Sequence, residues 1–368
     1  MSSSCSHRIY AASRCGNVKL IRKLQKTLMR SRSNRVLSVR RVTQENQGKK
    51  TAGVDGIKSL SPAARMKLVG QLKLTGKSKP TRRVWIPKPG RDEKRPLGIP
   101  TIYDRALQAV VKAALEPEWS AYFEPNSYGF RPGRSCHDAI RQIKDCIQQK
   151  AKFVLDADIA KCFERINHLT LLQKINIKGK VRQQIKAWLK SGVIDQGVFT
   201  ATSLGTPQGG VISPLLANIA LHGLEEVLKQ YATTLPLRYP SSGKIMSKRD
   251  RMKSLSIIRY ADDFVVLHQD IAVVTRCREI ISEWLAGIDL ELKPEKTRLS
   301  HTLNPEWSED GFAGFDFLGH HIQQHPVGKY RSDRDSKGRI LGFDTLITPS
   351  KKASKAHQEE IASAEQKT

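Results

Sequence analysis

The sequence predicts an α+β fold in which hairpins and short strands alternate with amphipathic helices. Three observations point to it. Residues 257–267 read Ile-Ile-Arg-Tyr-Ala-Asp-Asp-Phe-Val-Val-Leu, two short β-branched runs around an acidic tip, which is a hairpin pattern. Residues 153–159, Phe-Val-Leu-Asp-Ala-Asp-Ile, form a second apolar strand that ends in acids. Residues 61–74, 102–122 and 137–149 read as helices, the second with Leu107, Val110, Val111, Ala114 and Leu115 on one face.

Charge narrows the partners. The 368 residues hold 63 Lys+Arg against 35 Asp+Glu, a formal net charge of +28 and a sequence pI near 10.0. That excess goes well beyond what solubility requires and points to polyanions, nucleic acid first. No run of 18 apolar residues occurs, and no lipidation motif is present, so no membrane partner is expected. The N-terminus lacks the apolar stretch of a secretory signal. Six cysteines show no Cys-x-x-Cys spacing, which argues against a zinc site or disulfide framework and fits a reducing, cytoplasmic setting.

In chain order, residues 1–50 carry 13 Lys/Arg and one acid, Glu45. Ile21, Leu24 and Leu28 share a helix face, with Arg22, Lys23 and Lys26 around it. Such a helix docks its apolar stripe on the body, contacts phosphates, or does both. Residues 82–100 form two short strands about a Pro/Gly turn, studded with cations. Lys88 and Arg95 could hold a triphosphate there, or the charges could guard an exposed sheet edge. The loop Ser-Tyr-Gly-Phe-Arg-Pro-Gly-Arg at 127–134 pairs Arg131 and Arg134 with two aromatics. That suits stacking beside a phosphate, or a loop packed on its own rings. Residues 205–218 form a Gly/Pro-rich turn opening a helix that is expected to run to about 228, with Gln208 as donor and acceptor near any ligand. Residues 236–254 read as a polar surface loop, 275–285 as a helix, 314–319 as part of a strand pair, and 351–368 as a weakly helical tail.

The acids carry the chemistry. Asp156 and Asp158 share a strand face by the period of two; Asp262 and Asp263 sit at the hairpin tip. Read alone, the tip is a solvated turn and the strand-end acid a helix cap. Read together, carboxylates beside apolar strands call for a cation, and hard oxygen donors suit Mg²⁺. Three carboxylates can hold two Mg²⁺ about 4 Å apart for an in-line phosphoryl transfer. A basic chain then reads as one that performs nucleotidyl transfer on a template.

Seven blocks in order make a family recognisable. They are Thr-Ala-Gly-Val-Asp-Gly at 51–56; Ile-Pro-Lys at 86–88 with Arg-Pro-Leu-Gly-Ile-Pro at 95–100; Ser-Tyr-Gly-Phe-Arg-Pro-Gly at 127–133; Asp-Ala-Asp-Ile-x-x-Cys-Phe at 156–163; Thr-Pro-Gln-Gly-Gly-Val-Ile-Ser-Pro at 206–214; Tyr-Ala-Asp-Asp at 260–263; and Gly-Phe-Asp-Phe-Leu-Gly at 314–319. With them the chain resembles, from about residue 9 to 350, the reverse transcriptase/maturases encoded by group II introns. The resemblance implies a right-hand polymerase fold with an antiparallel palm sheet. It divides the chain into a basic N-terminal extension at 1–60, fingers at 61–150, a palm at 151–325 (the reverse transcriptase domain covering about 70–325), and the start of a thumb at 326–368. Asp158, Asp262 and Asp263 match the catalytic ligands of two Mg²⁺. Lys88 and Arg95 match the triphosphate cations, Gln208 a nucleotide contact, and Phe163 the bulky side chain that excludes a 2′-OH. Lys296 is a candidate proton donor to pyrophosphate. Arg22, Lys23, Lys26, Arg131 and Arg134 are the nucleic-acid contacts. The implied partners are an RNA template such as group II intron RNA, a DNA primer or target, and dNTPs, in a bacterial ribonucleoprotein particle.

Two departures stand out. Glu164 replaces the acid, commonly Asp, that follows the Phe, and keeps its charge. Only 16 residues follow Lys352, so the chain is expected to stop as the thumb begins. A catalytically impaired, RNA-binding maturase remnant is therefore the competing reading. Phe163 and the block order argue against an RNA-dependent RNA polymerase, and no Cys/His cluster supports an endonuclease.

Overall fold

The computed structural model describes residues 2–87, 94–335 and 337–365. The chain divides into two compact units that interleave in sequence, residues 1–123 with 161–222, and residues 124–160 with 223–368.

The first unit is organised by the helix Ile102–Tyr122, buried on most of its faces. Thr101 caps it, Oγ1 accepting from the Asp104 N–H at 3.1 Å while donating to the Asp104 carboxylate at 2.8 Å. The basic helix Val18–Arg30 buries Ile21, Leu24 and Leu28, which cluster with Ile9, Ala12 and Ala114. Its apolar stripe thus docks on the body, while Lys23 and Lys26 stay exposed. The predicted cationic hairpin forms, with Thr81–Pro87 antiparallel to Lys94–Ile99 and Ile86 opposite Arg95. Two short strands extend it into a sheet ordered Lys94–Ile99, Thr81–Pro87, Val193–Asp195, Val198–Thr200.

The second unit holds an antiparallel sheet ordered Ser256–Tyr260, Asp263–His268, Phe153–Asp158, Arg298–His301. Its core joins Val154, Ile258, Val265 and Leu267 to Ile140, Ile143 and Ile147 of the helix Cys136–Ile147. Ser135 and Asp138 start that helix with a reciprocal capping box. The same core takes in Phe315, Phe317 and Ile322 of a second sheet, built from Phe315–Phe317, His320–Pro326 and Phe343–Pro349.

Two expectations are corrected. The helix opened by the Gly/Pro turn spans Ser213–Leu221 and stops. Leu224–Ala232 is a separate helix, broken off at Gly223, whose φ of +104° no helix accommodates. The polar stretch expected to be loop contains the helix Lys248–Ser254, begun by Ser247 accepting from the Asp250 N–H. The tail, read as weakly helical, is the helix Lys351–Glu365. No helix among the described residues is long and apolar enough to cross a membrane.

Candidate active site

All three predicted carboxylates lie in the second unit. Asp158 ends the strand Phe153–Asp158, and the register sets it directly opposite Asp263, the first residue of the neighbouring strand. Opposed like charges repel at this spacing, so the pair demands positive charge. Lys296 supplies some, its Nζ forming an ion pair with Asp158 Oδ2. The structure therefore brings Lys296, the candidate proton donor, to Asp158. The Asp158 carbonyl accepts from the Lys293 N–H at 2.8 Å, tying the strand end to the turn that carries Lys296.

Asp262 and Asp263 are presented by a two-residue turn between Tyr260 and Asp263. Ala261 opens it at φ +59°, a position that glycine usually fills in such hairpins. Backbone strain of this kind costs about 1–2 kcal/mol and persists only where neighbours enforce it. Here the enforcing residues are Arg259, Ser127 and Gly129. The buried Arg259 guanidinium donates to the Ala261 carbonyl at 3.1 Å and to Ser127 Oγ at 2.8 Å. Backbone bonds link Arg259 N–H to Asn126 O (2.9 Å) and Tyr128 N–H to Arg259 O (2.8 Å). Gly129 lies so close that a Cβ there would meet Ala261 N at 2.4 Å. Reading the sequence missed this brace, although the Arg-Tyr-Ala-Asp-Asp string contained its key residue.

Asp156, two residues before Asp158, faces Val265 and Arg298 on the flanking strands. Desolvation, then the Asp263 charge, pushes its carboxyl up to about 7.

As donors, the carboxylates fit a divalent cation. They are hard oxygen ligands, two of them opposed, around a charge demand that one ammonium already meets in part. No group of three or more His, Cys, Asp or Glu side chains close enough to hold a metal is assembled among the described residues.

The nucleotide candidates Arg95, Phe163 and Gln208 lie in the first unit; Lys88 falls outside the described residues. The Gln208 turn is anchored by Thr206 N–H to Phe163 O (2.6 Å) and Gly205 N–H to Ile166 O (2.8 Å). His168 Nε2–H donates to Gly205 O at 2.6 Å, and burial lowers the imidazole below its usual 6.5, so it is neutral at pH 7. A Cβ on Gly209 would meet Gly98 O at 2.6 Å, so this turn lies against the strand that carries Arg95. Gln208 Oε1 is buried and has no hydrogen-bond partner, a cost that a ligand donor would remove. Arg95 is exposed and Phe163 half-buried.

The five predicted nucleic-acid contacts divide. Lys23 and Lys26 are exposed. Arg22 pairs with Glu118 at 2.7 Å and also donates to Gln25 Oε1 at 2.8 Å. Arg131 donates to the carbonyls of Glu124 (2.8 Å) and Ser127 (2.7 Å). Arg134 lies over the buried Tyr128 ring at 5.1 Å. The loop is thus packed on its own Tyr128, while Phe130 remains 46% exposed. Arg22 and Lys26 also line a cavity of about 1040 Å³ with Arg30, Arg35, Lys73 and Lys180, a cationic concavity that sequence spacing did not reveal.

The chain is similar in sequence to known proteins. A family model described as reverse transcriptase (RNA-dependent DNA polymerase) matches residues 86–327, and one described as the N-terminal domain of reverse transcriptase matches residues 4–72. Protein YkfC of Escherichia coli (strain K12) is 34% identical over 311 residues, 77% of this chain and 78% of that protein. The group II intron-encoded protein LtrA of Lactococcus lactis subsp. cremoris is 31% identical over 357 residues, 83% of this chain. An uncharacterized 91 kDa protein in the cob intron of Schizosaccharomyces pombe is 29% identical over 61% of this chain. The chain spans 57% of LtrA and 32% of the cob-intron protein.

Two outcomes follow from this geometry. Ser127→Ala strips Arg259 of an acceptor and should cost about 1–3 kcal/mol. Gly129→Ala should cost more, both read as the urea midpoint. For Asp156, the folded carboxyl keeps its proton up to about pH 7, whereas the unfolded one loses it near 3.8. The site therefore destabilises the fold progressively as pH rises through that window. Asp156→Asn should raise the thermal midpoint at pH 8 and change it least near pH 4; an equal gain at both pH values would contradict the assignment.

Proposed function

This chain belongs to the reverse transcriptase family, among relatives that include group II intron-encoded proteins, and from that premise we propose that it is an RNA-directed DNA polymerase. It would extend a primer 3′-OH with dNTPs on an RNA template. The observation that carries the reading is the opposed pair Asp158 and Asp263 at the sheet edge, with Asp262 on the strained turn beside them and Lys296 ion-paired to Asp158.

In this reading Asp158, Asp262 and Asp263 hold two Mg²⁺, with the second sheet-bearing unit as palm and the cationic hairpin as part of the fingers. The bound ions would lower the pKa of the primer 3′-OH and offset charge on the triphosphate and departing pyrophosphate. The remaining work falls to the chain's own groups. Arg95, with Lys88, neutralises the triphosphate as the nucleotide arrives. Gln208 Oε1 takes a donor from the nucleotide, satisfying an oxygen that is otherwise buried and orphaned. Phe163 fills the space beside C2′, so a ribonucleotide is refused by steric overlap rather than by a lost hydrogen bond. Lys296 Nζ is held beside the acids and can pass a proton to the leaving pyrophosphate. Exposed Lys23 and Lys26 contact template phosphates, and intron RNA and a DNA target complete a ribonucleoprotein particle.

Primer extension by the purified chain on an RNA template with dNTPs and Mg²⁺ tests the proposal. The wild-type chain should extend, and the double variant Asp262→Ala, Asp263→Ala should not. If neither extends while both bind RNA with steep salt dependence, the chain is an RNA-binding maturase remnant instead. Phe163→Ala should lower the preference for dNTPs over NTPs at least about tenfold, measured as the ratio of kcat/KM values. An unchanged ratio removes Phe163 from sugar selection.

A further inference from the structure

The strands His320–Pro326 and Phe343–Pro349 pair along their full length, and the described residues between them, 327–335 and 337–342, form an arm. At its base Val327 N–H donates to Gly342 O at 3.0 Å. The chain then folds back on the second strand, Asp333 N–H donating to Phe343 O (2.9 Å) and Leu341 N–H to Asp333 O (3.0 Å). Ser332 Oγ accepts from the N–H groups of Leu341 (3.2 Å) and Gly342 (2.8 Å). These bonds, with the bridge between Arg334 and Ile340, close residues 332–335 and 338–343 into a hairpin, and Tyr330 lies in the turn just before it, where Arg331 N–H donates to Gly328 O at 3.0 Å.

Its surface is sorted by charge. The acids turn inward. Asp335 Oδ1 accepts from the N–H groups of Lys337 (2.8 Å) and Arg339 (2.9 Å), and its Oδ2 pairs with Arg339 Nε at 2.6 Å. Asp333 Oδ2 accepts from Thr345 N–H at 3.3 Å. The cations Lys329, Arg331, Arg334, Lys337 and Arg339 are all exposed. Among them Tyr330 stands 91% exposed, the most exposed large hydrophobic side chain among the described residues, with Lys329 Nζ 4.9 Å from its ring centroid.

An ordered arm that keeps an aromatic face in water forgoes the stabilisation that burying it would contribute. Solubility alone calls for no tyrosine. An acidic peptide would use the cations but has no need of the ring. A nucleic-acid strand uses both: every unpaired base has a π-face to stack, and its flanking phosphates meet the neighbouring cations. A duplex offers the phosphates but keeps its base faces stacked. We propose that this arm is a contact for single-stranded nucleic acid, with Tyr330 stacking on an unpaired base while Lys329 and Arg331 neutralise adjacent phosphates. The inference rests on the reading that the chain handles nucleic acid, and not on its ability to polymerise.

The test uses the full chain without Mg²⁺, labelled oligo(dT) and oligo(rU), and a blunt duplex of equal length, followed by fluorescence anisotropy. Tyr330→Ala should weaken single-strand binding roughly 5- to 150-fold and leave the duplex unaffected. The double variant Lys329→Gln, Arg331→Gln should reduce the magnitude of the single-strand log K against log salt slope by about 1.4. Tyr330→Trp should retain affinity and add emission that the single strands quench and the duplex does not. That readout also covers the case in which Tyr330→Ala fails to fold. Unchanged single-strand affinity in Tyr330→Ala, equal losses for strand and duplex, or no added quenching in Tyr330→Trp would each overturn the proposal. Parallel primer extension separates the two readings. A wild-type chain that does not extend, yet loses strand binding in Tyr330→Ala, refutes the polymerase and keeps the arm. The reverse pattern refutes the arm and keeps the polymerase.

Discussion

Two carboxylates placed opposite each other on adjacent strands repel, and the second unit is built to hold them there. Asp158 and Asp263 are in register on the two central strands of a sheet whose inner residues are fully buried. A slip of one residue would turn Val154 and Val265 out of the core and the acids to the other face, so packing energy enforces the juxtaposition. Lys296 relieves part of the repulsion. The strain at Ala261 is carried by Arg259 and by the close approach of Gly129. The loop at 127–129 is therefore more than a connector; it is the backstop of the acidic turn.

The net charge of +28 conceals a division of labour. Arg259, Arg131, Arg134 and Arg22 spend their guanidinium donors on carbonyls, hydroxyls, rings and carboxylates of the protein itself. Planar, multiply donating guanidinium suits such internal ties. Lys23, Lys26, Lys329 and Arg331 remain at the surface, where cations meet a polyanion without losing internal bonds. Counting basic residues therefore overstates the interface, and the geometry of each one decides its role.

In the first unit the site is made by backbone more than by charge. Gly205 sits at φ +80°, and Gly209 lies against Gly98, so side chains at either position would force the turn away from its neighbours. The neutral His168 fastens the turn at Gly205 O. The outcome is a rigid presentation of Gln208, whose buried oxygen lacks a partner. Under the proposed function the incoming nucleotide supplies the donor that this oxygen lacks.

Elements whose signals are local were legible in the sequence. The hairpin 257–267 showed its β-branched runs, the helix Ile102–Tyr122 its apolar face, and the strand Phe153–Asp158 its terminal acids. The ordered motifs named the family. Tertiary structure decided what local signals do not carry. The break at Gly223 follows from a positive φ, whereas the spacing of apolar residues ran straight through it. Tyr128 went to the core and Tyr330 to water, although both sit within three residues of an arginine in Gly-containing segments. Arg259 became a brace because Ser127, 132 residues away in sequence, lies beside it. Periodicity reports which face of an element is apolar; which distant partner meets that face depends on packing, and packing turned these arginines into struts and left that tyrosine in water.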